Sequence, residues 1–367
     1  MKHKTIITAL SAFALLTTVT PSYAYFKSQQ SQPTLIKTVP IAGVQMTADA
    51  NGNLYAVTTK GIVAEFSPMA ALLHAYPLKT SSVTVAPDGS TLYAIQPKGA
   101  DVAIVNAATG AVENQIVDPG MTNPKLLALS PHGNTLYVLN QGNGVSSVED
   151  MLLAFSTQTG NLVWSVDTGI TARFTPNEAI TVSADGQDVY IPSGGTMFGN
   201  STLGSGYVDV NVPLQSVSDV KVSGAYEVTG VSRKDPSGLR WVTSKGMIGM
   251  YPAMTYLYDT GVGNVSAKIK APTNESPVSV ALGSTQVFVA YDNMADSNTA
   301  RPINEIGTYS ATGHSFQGVF KKRFPTIEQV MVTPDGTTQN LDVLTTKGLF
   351  IYHTNAPNVT GSVYGTN

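Results

Sequence analysis

The 367-residue chain contains no cysteine. Disulfides, thiol nucleophiles and thiolate metal centres are therefore excluded, and core burial and strand pairing must hold the fold. Charge is also sparse: 12% of residues are Asp, Glu, Lys or Arg, and the formal net charge is −3. Such a chain has no global field to draw it to nucleic acid or anionic membrane, so any charge-based recognition is local. Beyond the N-terminus, no apolar run approaches the roughly 20 residues that a membrane-spanning helix needs. Histidine is scarce, and His74, His132, His314 and His353 show no H-x-H or H-E-x-x-H spacing that would hold a metal. A G-x-S-x-G elbow, a P-loop and a G-x-G-x-x-G turn are absent too.

Glycine (33) and tyrosine (16) are plentiful. Short Val/Ile/Leu/Thr runs broken by Gly, Pro, Asn and Asp read as many short strands joined by turns. The start differs. Lys2, His3 and Lys4 precede an apolar run to about Val19, and Ser22 and Ala24 supply small residues at a cleavage site. Residues 1–24 are therefore expected to be a secretory signal peptide, leaving 25–367 as one mature domain in the periplasm or outside the cell.

One pattern recurs through that domain. An apolar strand, a turn ending in Gly and a strand carrying Leu-Tyr or Val-Tyr appear in "VTVAPDGSTLYAI" from Val83, "LALSPHGNTLYVL" from Leu127 and "ITVSADGQDVYI" from Ile180. The turn glycines are Gly52, Gly89, Gly133, Gly186, Gly238, Gly283 and Gly336, spaced 37 to 53 residues apart. That is the period of a propeller blade. Each glycine is expected at the positive φ of a tight turn. The last unit lacks a strong fourth strand, and "TLIKTVPIA" from Thr34 is spare. The expectation is an all-β, seven-bladed propeller of four-stranded antiparallel blades, with the N-terminal strand completing the last blade. A smaller repeat agrees: "TTKG" at Thr58 and Thr345, "TSKG" at Thr243 and "QPKG" at Gln96 fall where second and third strands meet.

The Asp-Gly turn, the Leu-Tyr strand and the following "VAIVNAATG" strand resemble the YVTN-type β-propeller repeat of exported proteins, within the quinoprotein-like propeller superfamily. The likeness is closest in the second and third units, and Asn140 matches the family's Asn after Leu-Tyr-Val-x. It implies a propeller scaffold and says little of function. Ala154 to Trp164, "AFSTQTGNLVW", resembles the docking motif of quinoprotein propellers, with Ser156 in place of Asp. That motif serves blade packing, and no bound cofactor is expected from it.

Sorting the links by strand order puts the long insertions on one face: Asn140–Asp150, Ser193–Gly206 and Asp292–Glu305. The same face is expected to gather Arg173, Arg301, Lys322 and Arg323, with Lys60, Lys98, Lys245 and Lys347 around its rim. Phe174, Phe198, Tyr291 and Phe324 would be its exposed aromatics. Long loops on a rigid frame are where recognition usually lives. The expected function is thus a non-catalytic binding or scaffold protein with a protein or anionic small-molecule partner. The alternative is an enzyme, lactonase-like or quinoprotein-like, whose site of His, Asp, Glu and Arg converges at the mouth of the central channel.

Overall fold

The computed structural model describes residues 33–97, 100–142, 150–170, 179–193, 206–222, 227–245, 254–259, 264–270, 275–293, 304–319 and 323–357. The expected signal peptide lies outside them. Among the described residues there is no helix, and every regular element is a strand.

The strands form four-stranded antiparallel sheets, each ordered as the chain runs except where noted. After β1 (Thr34–Val39) comes a sheet of β2 (Gly43–Ala48), β3 (Leu54–Thr58), β4 (Ile62–Phe66) and β5 (Leu72–Lys79). Next follow β6 (Val83–Val85), β7 (Thr91–Ile95), β8 (Asp101–Asn106) and β9 (Val112–Val117). Then come β10 (Pro124–Leu129), β11 (Thr135–Asn140), β12 (Met151–Ser156) and β13 (Leu162–Asp167). They are succeeded by β14 (Thr181–Val182), β15 (Asp188–Ser193), β16 (Gly206–Asn211) and β17 (Ser216–Lys221). A further sheet holds β18 (Glu227–Lys234), β19 (Leu239–Lys245), β20 (Met254–Asp259) and β21 (Asn264–Lys270). Beyond it lie β22 (Glu275–Leu282), β23 (Gln286–Asn293), β24 (Glu305–Ser310) and β25 (Phe316–Val319). The final sheet runs β26 (Ile327–Asp335), β27 (Thr338–Thr345), β28 (Leu349–Pro357) and then β1, so it draws on both ends of the described chain. In it Thr34, Leu35 and Val39 stand opposite His353, Tyr352 and Leu349. These sheets are the blades of a β-propeller.

The core explains why no blade stands alone. Side chains alternate across a strand, so each blade has two apolar faces to bury. On β3, Tyr55 and Val57 pack with Val83, Leu92 and Ala103 of the following blade. Leu54 and Ala56 turn the other way, onto Met331, Leu344 and Ile351 of the last blade. Middle strands are buried on both sides, whereas outermost strands such as β9 and β13 are mostly exposed.

Polar side chains on the first strands stitch consecutive blades together. Gln329 Oε1 accepts the Met46 N–H at 2.7 Å, and Gln45 Oε1 accepts the Val83 N–H at 2.9 Å. Ser279 Oγ accepts the Val330 N–H at 3.2 Å. Thr181 Oγ1 donates to Val231 O at 2.8 Å, and Thr229 Oγ1 to Pro277 O at 3.0 Å. A first strand at the edge of its sheet has unpaired backbone groups, and these bonds satisfy some of them.

Candidate functional site

The two faces of the molecule differ in how their links are built. On one, first-to-second and third-to-fourth strand turns are short. Gly52, Gly89, Gly133, Gly186, Gly238 and Gly336 all have positive φ there, as the sequence suggests, but Gly283 does not. Its turn closes instead through Gly283 N–H to Gln286 O at 2.8 Å. Neighbouring turns also touch. A Cβ on Gly52 would lie 1.9 Å from Pro334 O of the last blade, and one on Gly133 would lie 2.8 Å from Pro87 Cδ of the blade before. The glycines are needed for close approach as well as for φ, and this face is drawn tight.

The other face carries the second-to-third strand links and the passages between blades. Its long segments run from Asn140 to Met151, Ser193 to Gly206 and Asn293 to Glu305. Arg173, Arg301, Lys322 and Lys98, with Phe174 and Phe198, lie outside the described residues. Arg323 is described and exposed. Lys60 and Lys347 are exposed in the equivalent β3–β4 and β27–β28 links, and Lys245 ends β19 at the corresponding place. The repeated Thr has a job: Thr58 Oγ1 accepts the N–H groups of Lys60 and Ile62, and Thr345 Oγ1 accepts those of Lys347 and Gly348. The repeated Gly is not used alike. Gly61 has φ +75°, but Gly348 lacks a positive φ; its missing Cβ makes room 3.0 Å from Val39 O of β1.

Two aromatics expected on this face are interior. Tyr291 is fully buried, its hydroxyl 2.5 Å from that of Tyr309. Phe324 packs edge-on against Phe350 and Tyr352. In both cases a ring beside a long loop is taken by the interface between blades. Asp150, at the end of the first long link, is buried rather than solvated. Its Oδ1 accepts the Gly142 N–H at 2.7 Å, its Oδ2 has no partner, and burial pushes its carboxyl up to about 7. Trp164 packs on Tyr137 at 6.0 Å between ring centres, in the cluster shared with the next blade.

The densest buried polar group escapes a reading of the sequence. Arg240 lies between two blades, its guanidinium 3.6 Å from the centre of the Tyr190 ring. It donates to the hydroxyls of Tyr190 and Tyr207 and, at 3.2 Å, to Asp209 Oδ2. Burial raises the Asp209 carboxyl and Arg240 opposes that rise. The one trace in the sequence is an arginine set between the apolar Leu239 and Trp241 at the start of its strand.

A second cluster brings Ser237, His314 and Asp235 together, the residue types of a hydrolytic triad. His314 Nε2 lies 2.9 Å from Asp235 Oδ2 and 3.2 Å from Ser237 Oγ, so one ring nitrogen faces both partners. Ser237 Oγ donates to Asp235 Oδ1 at 2.6 Å. A relay needs Ser on one ring nitrogen and Asp on the other. The serine proton here points at the carboxylate, and Trp241 Nε1 holds the second carboxylate oxygen at 3.2 Å. The cluster clasps two blades. Among the described residues no three His, Asp or Glu side chains converge as metal ligands.

With this geometry, the chain is similar to a solved structure titled Kuenenia stuttgartiensis Hydrazine Synthase. The TM-score is 0.64 at 14% sequence identity, covering 89% of this chain and 99% of that one. The likeness is one of fold. No protein-family profile and no curated protein sequence matches the chain.

Proposed function

We propose that the chain is an exported, non-catalytic binding or scaffold protein. It is a YVTN-type ring of seven blades, closed by β1 in the last blade, that recognises a protein or anionic small molecule through its long-loop face. The observation that carries this reading is the asymmetry of the two faces. Short turns pack against one another on one side, as at Gly52 and Pro334, while on the other the β11–β12, β15–β16 and β23–β24 links each run to roughly ten residues or more. Long loops mounted on a rigid frame are the usual carriers of recognition. The exposed cations Arg323, Lys60 and Lys347 stand on that side and supply local positive charge to a chain whose net charge is −3.

The test uses the mature chain with Lys322→Glu and Arg323→Glu combined. Retention on an immobilised polyanion, and cross-linking to other exported proteins, are compared with those of wild type and of a Lys234→Glu control, an exposed lysine at the short-turn end of β18. Loss of retention and of cross-linked partners in the double reversal alone supports the proposal. Equal behaviour of all three proteins, with unfolding unchanged, overturns it.

A further inference from the structure

Two oxygen atoms on β27 are buried with no donor against them. Asn340 and Asp342 are fully inaccessible, and Asn340 Oδ1 and Asp342 Oδ1 each lack a partner. The remaining polar atoms of both side chains are engaged. Asn340 Nδ2 donates to Pro68 O at 3.0 Å, which fixes the amide's orientation, and Thr333 Oγ1 donates to Asp342 Oδ2 at 2.6 Å. The pairing of β27 with β28 is regular from Asn340 to Asp342. Two residues apart on a strand means one face. Since Asn340 reaches Pro68, that face is the one turned to the β2–β5 blade.

The surroundings leave little alternative to a proton. The cluster between these blades is built from Met46, Leu54, Phe66, Met331 and Ile351. A carboxylate there would face desolvation with one hydrogen bond, and a neighbouring carbonyl oxygen would repel it. A carboxylic acid would instead offer the missing donor to the missing acceptor. We propose that Asp342 is held as a neutral acid whose Oδ1–H is donated to Asn340 Oδ1. This completes a chain from Thr333 through Asp342 and Asn340 to Pro68 that latches the last blade to the β4–β5 turn.

Burial pushes the Asp342 carboxyl up to about 7, and the charge of Asp335 at the end of β26 adds to the rise. The other titratable groups around it are few. β28 contributes His353, whose Nδ1 is 3.8 Å from Asp335 Oδ2, and β1 contributes Lys37, which donates to Ala70 O at 3.1 Å. The side chains of the β2–β5 blade in the shared cluster are apolar. The sign follows from linkage. Above the ordinary carboxyl value of 3.8 the unfolded chain gives up this proton while the folded chain keeps it, so stability falls as pH rises towards about 7. Beyond that the folded form ionises too, and the loss levels off.

The decisive variant is Asp342→Asn, which keeps an acceptor for Thr333 and presents a permanent N–H donor to Asn340. It is compared with its parent in an Asp150→Asn background, because that second carboxyl also titrates near 7. Urea unfolding of the full-length protein from pH 5 to pH 8 should show the parent losing up to about tenfold in its folded-to-unfolded ratio per pH unit relative to Asp342→Asn. An identical pH slope in both proteins, or a variant weaker at every pH, overturns the proposal. Should the variant fail to fold, infrared difference spectra of the Asp150→Asn parent decide. A protonated carboxylic acid band present at pH 6 and lost at pH 9 supports the latch. Its absence at pH 6 means an ionised Asp342 met by a water or cation, and overturns it.

Discussion

Gln45 and Val83 are joined twice: the amide oxygen of Gln45 accepts the Val83 N–H at 2.9 Å, and its Nε2 donates to the Val83 carbonyl at 3.3 Å. One side chain therefore takes the place of a strand partner between two first strands. Replacing Gln45 with Leu leaves both backbone groups of a buried residue without partners. The expected loss is roughly 2–4 kcal/mol of unfolding free energy, read by denaturant titration. A cost below about 0.5 kcal/mol, within the range of ordinary surface substitutions, would show that the stitch is ornamental.

The turns give a contrast between two glycines of similar conformation. Gly52 and Gly336 have φ of 81° and 59°, but only at Gly52 would a Cβ collide, at 1.9 Å from Pro334 O; at Gly336 it meets nothing within 4 Å. Gly336→Ala should cost only the left-handed backbone term, about 1–2 kcal/mol. Gly52→Ala must also push two turns apart and should cost clearly more. Melting temperatures of the two variants, measured side by side, check the order.

Arg240 is a buried cation whose partners depend on it. Arg240→Ala takes the cation from the partly buried carboxylate of Asp209, while Tyr190 keeps its bond to Asp188, and a loss of about 3–5 kcal/mol is expected. Arg240→Lys should recover only part of this, because an ammonium cannot stack flat on Tyr190 while reaching three oxygens. Chemical denaturation of both variants tests the claim; a fully stable lysine variant would show that charge alone matters.

Asp150 supplies a pH-dependent prediction on the long-loop face. Its folded-state value is raised to about 7 from 3.8, chiefly by burial. The proton is thus held more tightly when folded, and stability should decline as pH climbs between those values. Asp150→Asn preserves an acceptor for Gly142 and should flatten that decline by one proton. Unfolding midpoints at pH 5 and pH 8 provide the measurement.

The sequence reveals much of this architecture because each turn announces itself. "PDG" and "PHG" combine a fixed φ, a short polar side chain and a residue free to take positive φ, and the strands follow at the expected spacing. Its failures share one cause. In "QNLDVL" the polar Asn340 and Asp342 alternate with apolar residues, the usual mark of a strand with one wet face. A second strand of a blade, however, is covered on both sides, so alternation there separates two buried neighbours instead of core from solvent. Tyr291 and Phe324 mislead for the same reason: a ring next to a loop in sequence belongs to an interface between blades that no local pattern describes. Arg240 is hidden likewise, since its partners stand 31 to 50 residues earlier.

The pairing of β1 with β28 also has a consequence in time. The first described strand leaves the ribosome about 300 residues before its partner at 349–353, and no earlier strand takes that place. Until Leu349 to His353 have been made, Thr34 to Val39 must wait as an unmatched ribbon, exposed to capture by any other open edge. A nascent chain stopped short of Leu349 would carry every blade but the last in full, yet it would lack the contact that joins its two ends.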